Sequence, residues 1–214
     1  MNMSLFSRRR ALIGAASSGP APRIPAKYQE VEWVGATGTS PIGTGFIPKT
    51  QNMRLVTDIM FTVNASRNAF GLNPGTRGMQ WDYYWQSGPK AWYHCGGTNT
   101  TGQGSCSLNT WYHIDAGKKL YVDGVLKVTK AAADFSSNTG ELRLFSGNNG
   151  GQTGCRYKVV YIYDDNESLW DTAVPCYRKS DGRIGFYKLN AAEFIFGTAA
   201  NTNYSKGADV IYDT

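Results

Sequence analysis

Residues 155–188 read CRYKVVYIYDDNESLWDTAVPCYRKSDGRIGFYK. Side chains in a strand alternate between two faces, so Tyr157, Val159, Tyr161 and Tyr163 fall on one apolar, aromatic side while Arg156 and Lys158 begin the other. Asp164-Asp165-Asn166 stops that strand, because these side chains hydrogen-bond their own backbone and favour turns. Leu169 to Val174 resumes an apolar pattern up to Pro175. Ser180-Asp181-Gly182 is a turn signal, and Ile184 to Leu189 returns as a strand. The segment reads as strand, turn, short link and hairpin, with most apolar faces directed to one core.

The same alternation extends outward from it. Met53, Leu55, Thr57, Ile59, Phe61 and Val63 lie on one face of the clearest strand, with Arg54, Asp58 and Thr62 on the other. Between Leu120 and Val128, Asp123-Gly124 is a strong hairpin signal, suited to a type I′ turn. In Glu141 to Phe145, Leu142 and Leu144 share a face opposite Arg143 and Phe145. Near the start, Val31 and Trp33 are expected in the core, with Glu30 and Glu32 as solvent-facing edge charges. Residues 96–107 are polar and glycine-rich and read as a loop. No long stretch shows helical periodicity.

A chain of 214 residues has room for one large sandwich or two small domains. No break in composition occurs after residue 27, which favours one. Glycine at 25 residues, aromatics at 13% and charged residues at 18% suit many short strands joined by glycine turns.

The net charge of +6 is unevenly placed. Five of the 22 basic groups (Arg8, Arg9, Arg10, Arg23 and Lys27) lie in residues 1–27 without an acid, leaving 17 basic against 16 acidic groups in the rest. The basic character belongs to a leader and does not mark a nucleic-acid-binding domain face. Arg8-Arg9-Arg10 before Ala11–Ala16 imitates a twin-arginine export signal, but the apolar run falls short of the roughly 7–15 residues of a signal core. No run approaches the ~20 apolar residues needed to cross a bilayer. Pro20, Pro22 and Pro25 keep the link extended. Residues 1–27 therefore read as an extended basic arm that anchors the chain to a partner, with Arg8, Arg9, Arg10 and Arg23 as its contacts. Residues 28–214 read as the folded domain.

Several stretches carry a family resemblance. They are Val160-Tyr161-Ile162-Tyr163-Asp164, Val174-Pro175-Cys176-Tyr177-Arg178-Lys179-Ser180-Asp181-Gly182 and Gly185-Phe186-Tyr187-Lys188-Leu189, with 28–34, 37–46 and 111–124. Together they resemble concanavalin A-like, laminin-G-type domains of the kind found in phage virion proteins and gut-bacterial surface proteins, over roughly residues 28 to 207. The resemblance implies an all-β jelly-roll sandwich of two antiparallel sheets. It also implies a virion structural or accessory protein, such as a capsid decoration, head-fibre or tail-associated protein. Such a protein is assembled in the host cytoplasm, displayed on the virion surface, oligomeric in the assembly and not membrane-bound. The rival readings are a bacterial secreted or surface carbohydrate-binding module and a glycoside hydrolase.

Residues 79–85 and 90–95 are unusually aromatic and read as paired strands, with Met79, Trp81, Tyr83 and Trp85 on one face and Gln80, Asp82 and Tyr84 on the other. Half of these rings serve the core on the bland reading. On the sharper one, Trp81, Asp82, Tyr84 and Trp92, with Asn148 and Asn149 from a nearby loop, form a glycan platform for host or mucosal sugars. Ring faces would pack on sugar C–H groups while Asp and Asn bond the hydroxyls.

Catalysis is not expected. The Glu-x-Asp-x-x-Glu string of related jelly-roll glucanases is absent, and Glu30 and Glu32 lack a third acid. His94 neighbours Cys95, but adjacent strand residues lie on opposite faces, and His113 sits within a sheet strand. No cofactor is expected. Calcium, common in lectin relatives, would draw on Asp164, Asp165, Asn166 and Glu167 with Asn148 and Asn149, a set that reads equally as a turn. Cys95, Cys106, Cys155 and Cys176 form no zinc motif with only two histidines available. Two disulfides are possible on paper, a short Cys95–Cys106 loop among them, and pairing is not legible in a sequence; the resemblance favours reduced thiols, since the cysteine near 176 commonly stands alone in the family.

Overall fold

The computed structural model describes residues 23–38, 41–63, 67–73, 78–86, 90–97, 101–105, 107–129, 135–146, 153–198 and 200–212. Within 78–105 it describes the backbone path and the strand pairing. The strands in chain order are β1 (Tyr28–Glu30), β2 (Val34–Gly38), β3 (Ile42–Gly43), β4 (Arg54–Phe61), β5 (Arg67–Asn73) and β6 (Gly78–Gln86). Next come β7 (Lys90–Gly97), β8 (Thr101–Ser105), β9 (Trp111–Ala116), β10 (Lys119–Val122), β11 (Val125–Thr129) and β12 (Glu141–Leu144). Last are β13 (Thr153–Tyr163), β14 (Leu169–Arg178), β15 (Ile184–Lys188), β16 (Glu193–Ile195) and β17 (Tyr204–Lys206). The only helical element among the described residues is a 3₁₀ turn, Asn201–Asn203. No helix among them is long and apolar enough to cross a membrane.

Every pairing is antiparallel, and the strands form a two-sheet sandwich of the expected jelly-roll kind. The larger sheet runs β11, β10, β9, β4, β13, β14, β15, β16, with β2 on β13, β17 on β2 and β1 on β14. The smaller runs β3, β12, β5, β6, β7, β8. Leu55, Ile59, Phe61, Ile114, Tyr157, Ile162 and Phe186 of the larger sheet meet Ile42, Phe70, Leu72, Leu142 and Leu144 of the smaller in one core. Each such side chain stabilises the fold by about 1.5–3 kcal/mol before chain entropy is counted. A second cluster lies on the opposite face of β14 and β15, where Ile24 and Tyr28 cover Val174, Cys176 and Tyr187. The end of the segment read as an arm thus packs on the sandwich.

β4 follows the expected alternation: Met53, Leu55, Thr57, Ile59 and Phe61 are all buried, although Val63, beyond the strand, is exposed. β13 does not. Tyr157 pairs with Ile59 but Val160 pairs with Thr57, so Lys158 and Val159 together oppose Asp58. This bulge inverts the faces beyond it. Val160 and Ile162 enter the core with Tyr157, while Val159, Tyr161 and Tyr163 are half-buried on the outer side.

Four other expectations need correction. Thr101–Ser105, within the stretch read as a loop, is strand β8 paired with β7. Phe145, placed with Arg143 by alternation, leaves the strand at φ 58° and is fully buried against Tyr157, with ring centres 5.0 Å apart. A positive φ on a bulky residue costs about 1–3 kcal/mol, which burial of the ring offsets. Trp33 is half-buried on the outer face. Glu30, expected at a solvent edge, is 4% exposed because Arg23 and Tyr212 both close over its carboxylate, whereas Glu32 is exposed.

The Asp-Gly turn reading holds, and the reading of Pro175 as a strand end does not. Asp123 and Gly124 have φ of 50° and 77°, as a two-residue I′ turn requires, and they join Val122 directly to Val125. Pro175 does not end its strand. On one side β14 pairs with β13 through Ala173 and with β1 from Cys176 onward, so the proline falls in the gap between partners. Its missing N–H leaves no ladder bond unmade there.

Candidate functional site

The outer face of the smaller sheet is located by register. Ile42 pairs with Leu144, Leu144 with Phe70 and Phe70 with Tyr83, and the first three are fully buried, so this row faces the core. The adjacent row of Gly43, Arg143, Gly71, Asp82 and His94 therefore lies on the outer side. The next pair along β6 and β7 is not in that row by number alone: Tyr84 is opposite Trp92, two residues from Asp82 and His94 respectively, and shares their face. Asp82, Tyr84 and Trp92 are thus brought together, with His94 added. Trp81 is opposite Cys95 and belongs to the other face, the side of Tyr83 and Phe70. Asn148 and Asn149 lie outside the described residues.

Glycines keep this face low at its β3 end. A Cβ on Gly43 would come 2.6 Å from the Glu141 carboxylate, which instead lies over bare backbone. Glu141 accepts hydrogen bonds from the Gly45 N–H at 3.1 Å and from Arg143 Nε at 3.1 Å. His94 was the residue that alternation alone overlooked. Its membership depends on which residue of β7 opposes Asp82, and pairing, not pattern, decides that.

The outer face of the larger sheet is a field of paired charges. His113 Nδ1 is 2.8 Å from Asp58 Oδ1, and Lys158 Nζ donates to Asp58 Oδ2 at 3.3 Å. The hydrogen bond to Asp58 raises the His113 pKa above its ordinary 6.5 against the opposing effect of burial. The same bond, with help from Lys158, lowers that of Asp58. Arg54 pairs with Asp115 at 3.1 Å and lies over the Tyr163 ring at 4.4 Å. Asp58 and Asp115 are thus committed to cations. Glu30 and Glu32 do not form an acid pair: one is buried beneath Arg23 and Tyr212 and the other is exposed.

Arg23, read as an arm contact, is spent on Glu30. Arg8, Arg9 and Arg10 lie outside the described residues. The acidic cluster after β13 is a turn. Asp164 Oδ1 accepts from the Asn166 and Ser168 N–H groups, both at 2.9 Å. Asp165 accepts from the N–H groups of Lys49 at 2.9 Å and Thr50 at 2.8 Å. These carboxylates accept from amide hydrogens, as side chains that form a turn do. Cys155 and Cys176 are buried free thiols. Burial pushes the Cys155 thiol up to about 12 and raises Cys176 as well. Cys106 lies outside the described residues, and for Cys95 only the strand position is described.

No family model and no curated protein sequence matches the chain. Solved structures similar to it include a heptameric SAP-like pentraxin from Limulus polyphemus, 10% identical, with a TM-score of 0.48 over 66% of this chain and 77% of that one. A putative carbohydrate binding protein from Bacteroides ovatus is 10% identical, with a TM-score of 0.46 over 86% of this chain and 62% of that one. A Trypanosoma rangeli sialidase is 14% identical, with a TM-score of 0.48 over 71% of this chain but only 27% of that one.

Proposed function

We propose that the chain is a non-catalytic, lectin-like module that binds glycan on the outer face of its smaller sheet and is carried on a virion by its basic leader. The observation that carries the glycan reading is the register of β6 and β7, which sets Tyr84 beside Trp92 and Asp82 beside His94 on one face. Positions 84 and 92 carry aromatic residues and positions 82 and 94 an acid and an imidazole, the residue types suited to the C–H face and the hydroxyl rim of a pyranose. Trp81 is not part of this face. Glu30, Asp58, Asp115 and Glu141 are each held by a cation, which counts against a hydrolytic role for those four. The leader reading rests on charge: residues 1–27 hold five of the chain's basic groups and no acid, which suits contact with another virion protein.

Two measurements test this. On a glycan array, the full-length protein should bind a defined set of sugars, and Trp92→Ala or Tyr84→Ala should each weaken binding by up to about tenfold, the worth of one ring contact. An array on which both variants match the parent ends the small-sheet reading. Removing residues 1–20 retains Arg23 and Ile24, which pack on the sandwich, and should leave a folded domain that no longer joins particles. Full incorporation of the truncated chain would end the anchoring reading.

A further inference from the structure

Away from the core, β14, β15 and β16 carry a second group of aromatic rings. The centre of the Tyr28 ring lies 5.1 Å from that of Tyr187 and 5.0 Å from that of Phe194, and Phe194 stacks on Phe196 at 5.5 Å. Gly185 makes room for the last two, since a Cβ there would come 3.1 Å from Phe194 Cζ and 3.1 Å from Phe196 Cβ. Phe196, just past the end of β16, is 38% exposed. Cations close over these rings. Arg183 Cζ lies 4.5 Å from the centre of Phe196, Arg178 Cζ lies 5.7 Å from Phe194 and 5.8 Å from Phe196, and Lys27 Nζ lies 5.3 Å from Tyr28.

The turn between β14 and β15 is braced. The Lys179 N–H donates to the Lys27 carbonyl at 3.0 Å, the Arg178 N–H to the Arg183 carbonyl at 2.8 Å and the Gly182 N–H to the Arg178 carbonyl at 2.8 Å. The Asn201 side chain donates to the Gly182 carbonyl at 2.9 Å and accepts from the Ile184 N–H at 3.0 Å. Lys27, Arg178, Lys179 and Arg183 thus belong to one fixed surface, which lowers the ordering cost of binding.

The acids at this end are taken. Asp181 is held by Arg178, Nε to Oδ1 at 3.0 Å, Glu193 by Lys188 at 2.8 Å and Asp209 by Lys206 at 2.8 Å. Lys27, Lys179 and Arg183 have no ion pair among the described residues. Residues 28–214 hold 17 basic against 16 acidic groups, so three unpaired cations around one turn are a local excess. The covering of the rings narrows the kind of anion. Bases and sugars stack on open ring faces, whereas Phe194 and Phe196 stack on each other beneath two guanidinium groups. A guanidinium lying on a ring keeps its N–H edge free for two-pronged contact with a carboxylate.

We propose that this surface docks an acidic segment of a partner protein, with Arg183 as the forked donor, Lys27 and Lys179 as flanking charges and the exposed part of Phe196 as the apolar contact. The inference rests on the anchoring reading and gives the leader's partner its chemistry, because an acid-rich protein surface suits Arg8, Arg9 and Arg10 as well.

The test titrates the full chain by fluorescence anisotropy at ~0.15 M salt, where weak long-range attraction is screened. The labelled probes are an alternating Asp-Glu peptide, its Asn-Gln counterpart, an oligothymidylate and a sulfated dextran oligomer. The acidic peptide should bind and the neutral one should not. The double variant Lys179→Gln/Arg183→Gln should weaken that binding by roughly 10–100-fold, the value of charge-assisted hydrogen bonds. Phe196→Ala keeps every charge but removes the ring beneath Arg183, and should weaken it by about two- to fivefold. Lys118→Gln/Lys127→Gln removes two exposed cations near the opposite edge of the larger sheet and should leave the affinity unchanged. Arg8→Gln/Arg9→Gln/Arg10→Gln should cost less than the Lys179/Arg183 double variant. No binding of the acidic peptide, parental affinity in the Lys179/Arg183 variant or in Phe196→Ala, an equal loss in the Lys118/Lys127 variant, or a larger loss in the leader variant would each overturn the proposal. So would oligothymidylate or sulfated dextran binding as tightly as the peptide. The anchoring reading is judged by particle incorporation of the chain lacking residues 1–20, so its failure is distinct from any outcome of these titrations.

Discussion

β4 and β13 lie side by side in the larger sheet, yet they use their side chains differently. β4 is regular, and its odd-numbered residues from Leu55 to Phe61 are all in the core. β13 carries one extra residue where Lys158 and Val159 oppose Asp58, so its inner set changes from Tyr157 to Val160 and Ile162. Thr57 holds the bulge by donating its hydroxyl to the Val159 carbonyl at 3.0 Å. The bulge lets one strand serve two purposes. Its first half offers Arg156 and Lys158 to the outer face, and its second half offers Tyr161 and Tyr163, without losing core contact in either half. A single inserted residue moves side chains between oil and water more effectively than several substitutions would.

The strongest test of this contrast is a pair of truncations across the inversion. Ile162→Ala should lower the unfolding free energy by about 2–5 kcal/mol, as expected for a buried aliphatic side chain. Tyr161→Ala, on the outer side, should cost well under half as much. Urea denaturation reads both, and a larger loss for Tyr161 would mean that the strand keeps plain alternation through 158–159.

A smaller and independent effect concerns Cys155, which lies before the bulge and pairs with Phe61 on the inner side. With its thiol pushed up to about 12 from the ordinary 9.0, its thiolate fraction at pH 8 is roughly a thousandfold below that of an exposed cysteine. Iodoacetamide should therefore modify Cys155 only after unfolding, as followed by peptide mass spectrometry. Prompt labelling of the native protein would place it outside the core.

The smallest effect spans the bulge itself, where Asp58 joins His113 of β9 to Lys158 of β13. His113 is raised above 6.5, so its contribution is complete below that pH and is lost as pH rises through the folded-state value. Asp58 is lowered below 3.8, so its contribution is present above that pH and is lost as pH falls through the folded-state value. Asp115 and Asp123 add to the field that favours charged His113. Both partners of the pair are about one-third exposed, and solvent screening keeps the effect modest. The melting temperature should decline slightly between pH 6 and pH 8, and His113→Gln should remove that decline. An unchanged slope in the variant would assign it elsewhere.

Some of this molecule is legible residue by residue. The period-two pattern over 53–61 names the inner face of β4, because a strand with one buried side must repeat every second residue. Asp123-Gly124 announces a two-residue turn, because few other pairs accept left-handed backbone at both positions. Asp164 signals its own turn by the reach of its carboxylate to nearby amides. The aromatic hairpin is recognisable by composition, but the division of its residues between faces is half legible: Asp82 and Tyr84 share a face by alternation and Trp92 is named by composition, while the inclusion of His94 requires the register.

What the amino-acid order determined by itself was local: an all-β chain, its best strand, its tight turns and a leader that holds much of the excess positive charge. Only the tertiary structure decided the bulge at 158–159, the inward turn of Phe145, the burial of Glu30 under Arg23 and Tyr212, and the stacking of Arg156 on Trp33. The physical reason is the same in each case. Strand patterns depend on neighbours a few residues away, whereas burial and charge pairing depend on partners that arrive from distant parts of the chain, such as Tyr212 over Glu30 or Ser205 beside Gly35.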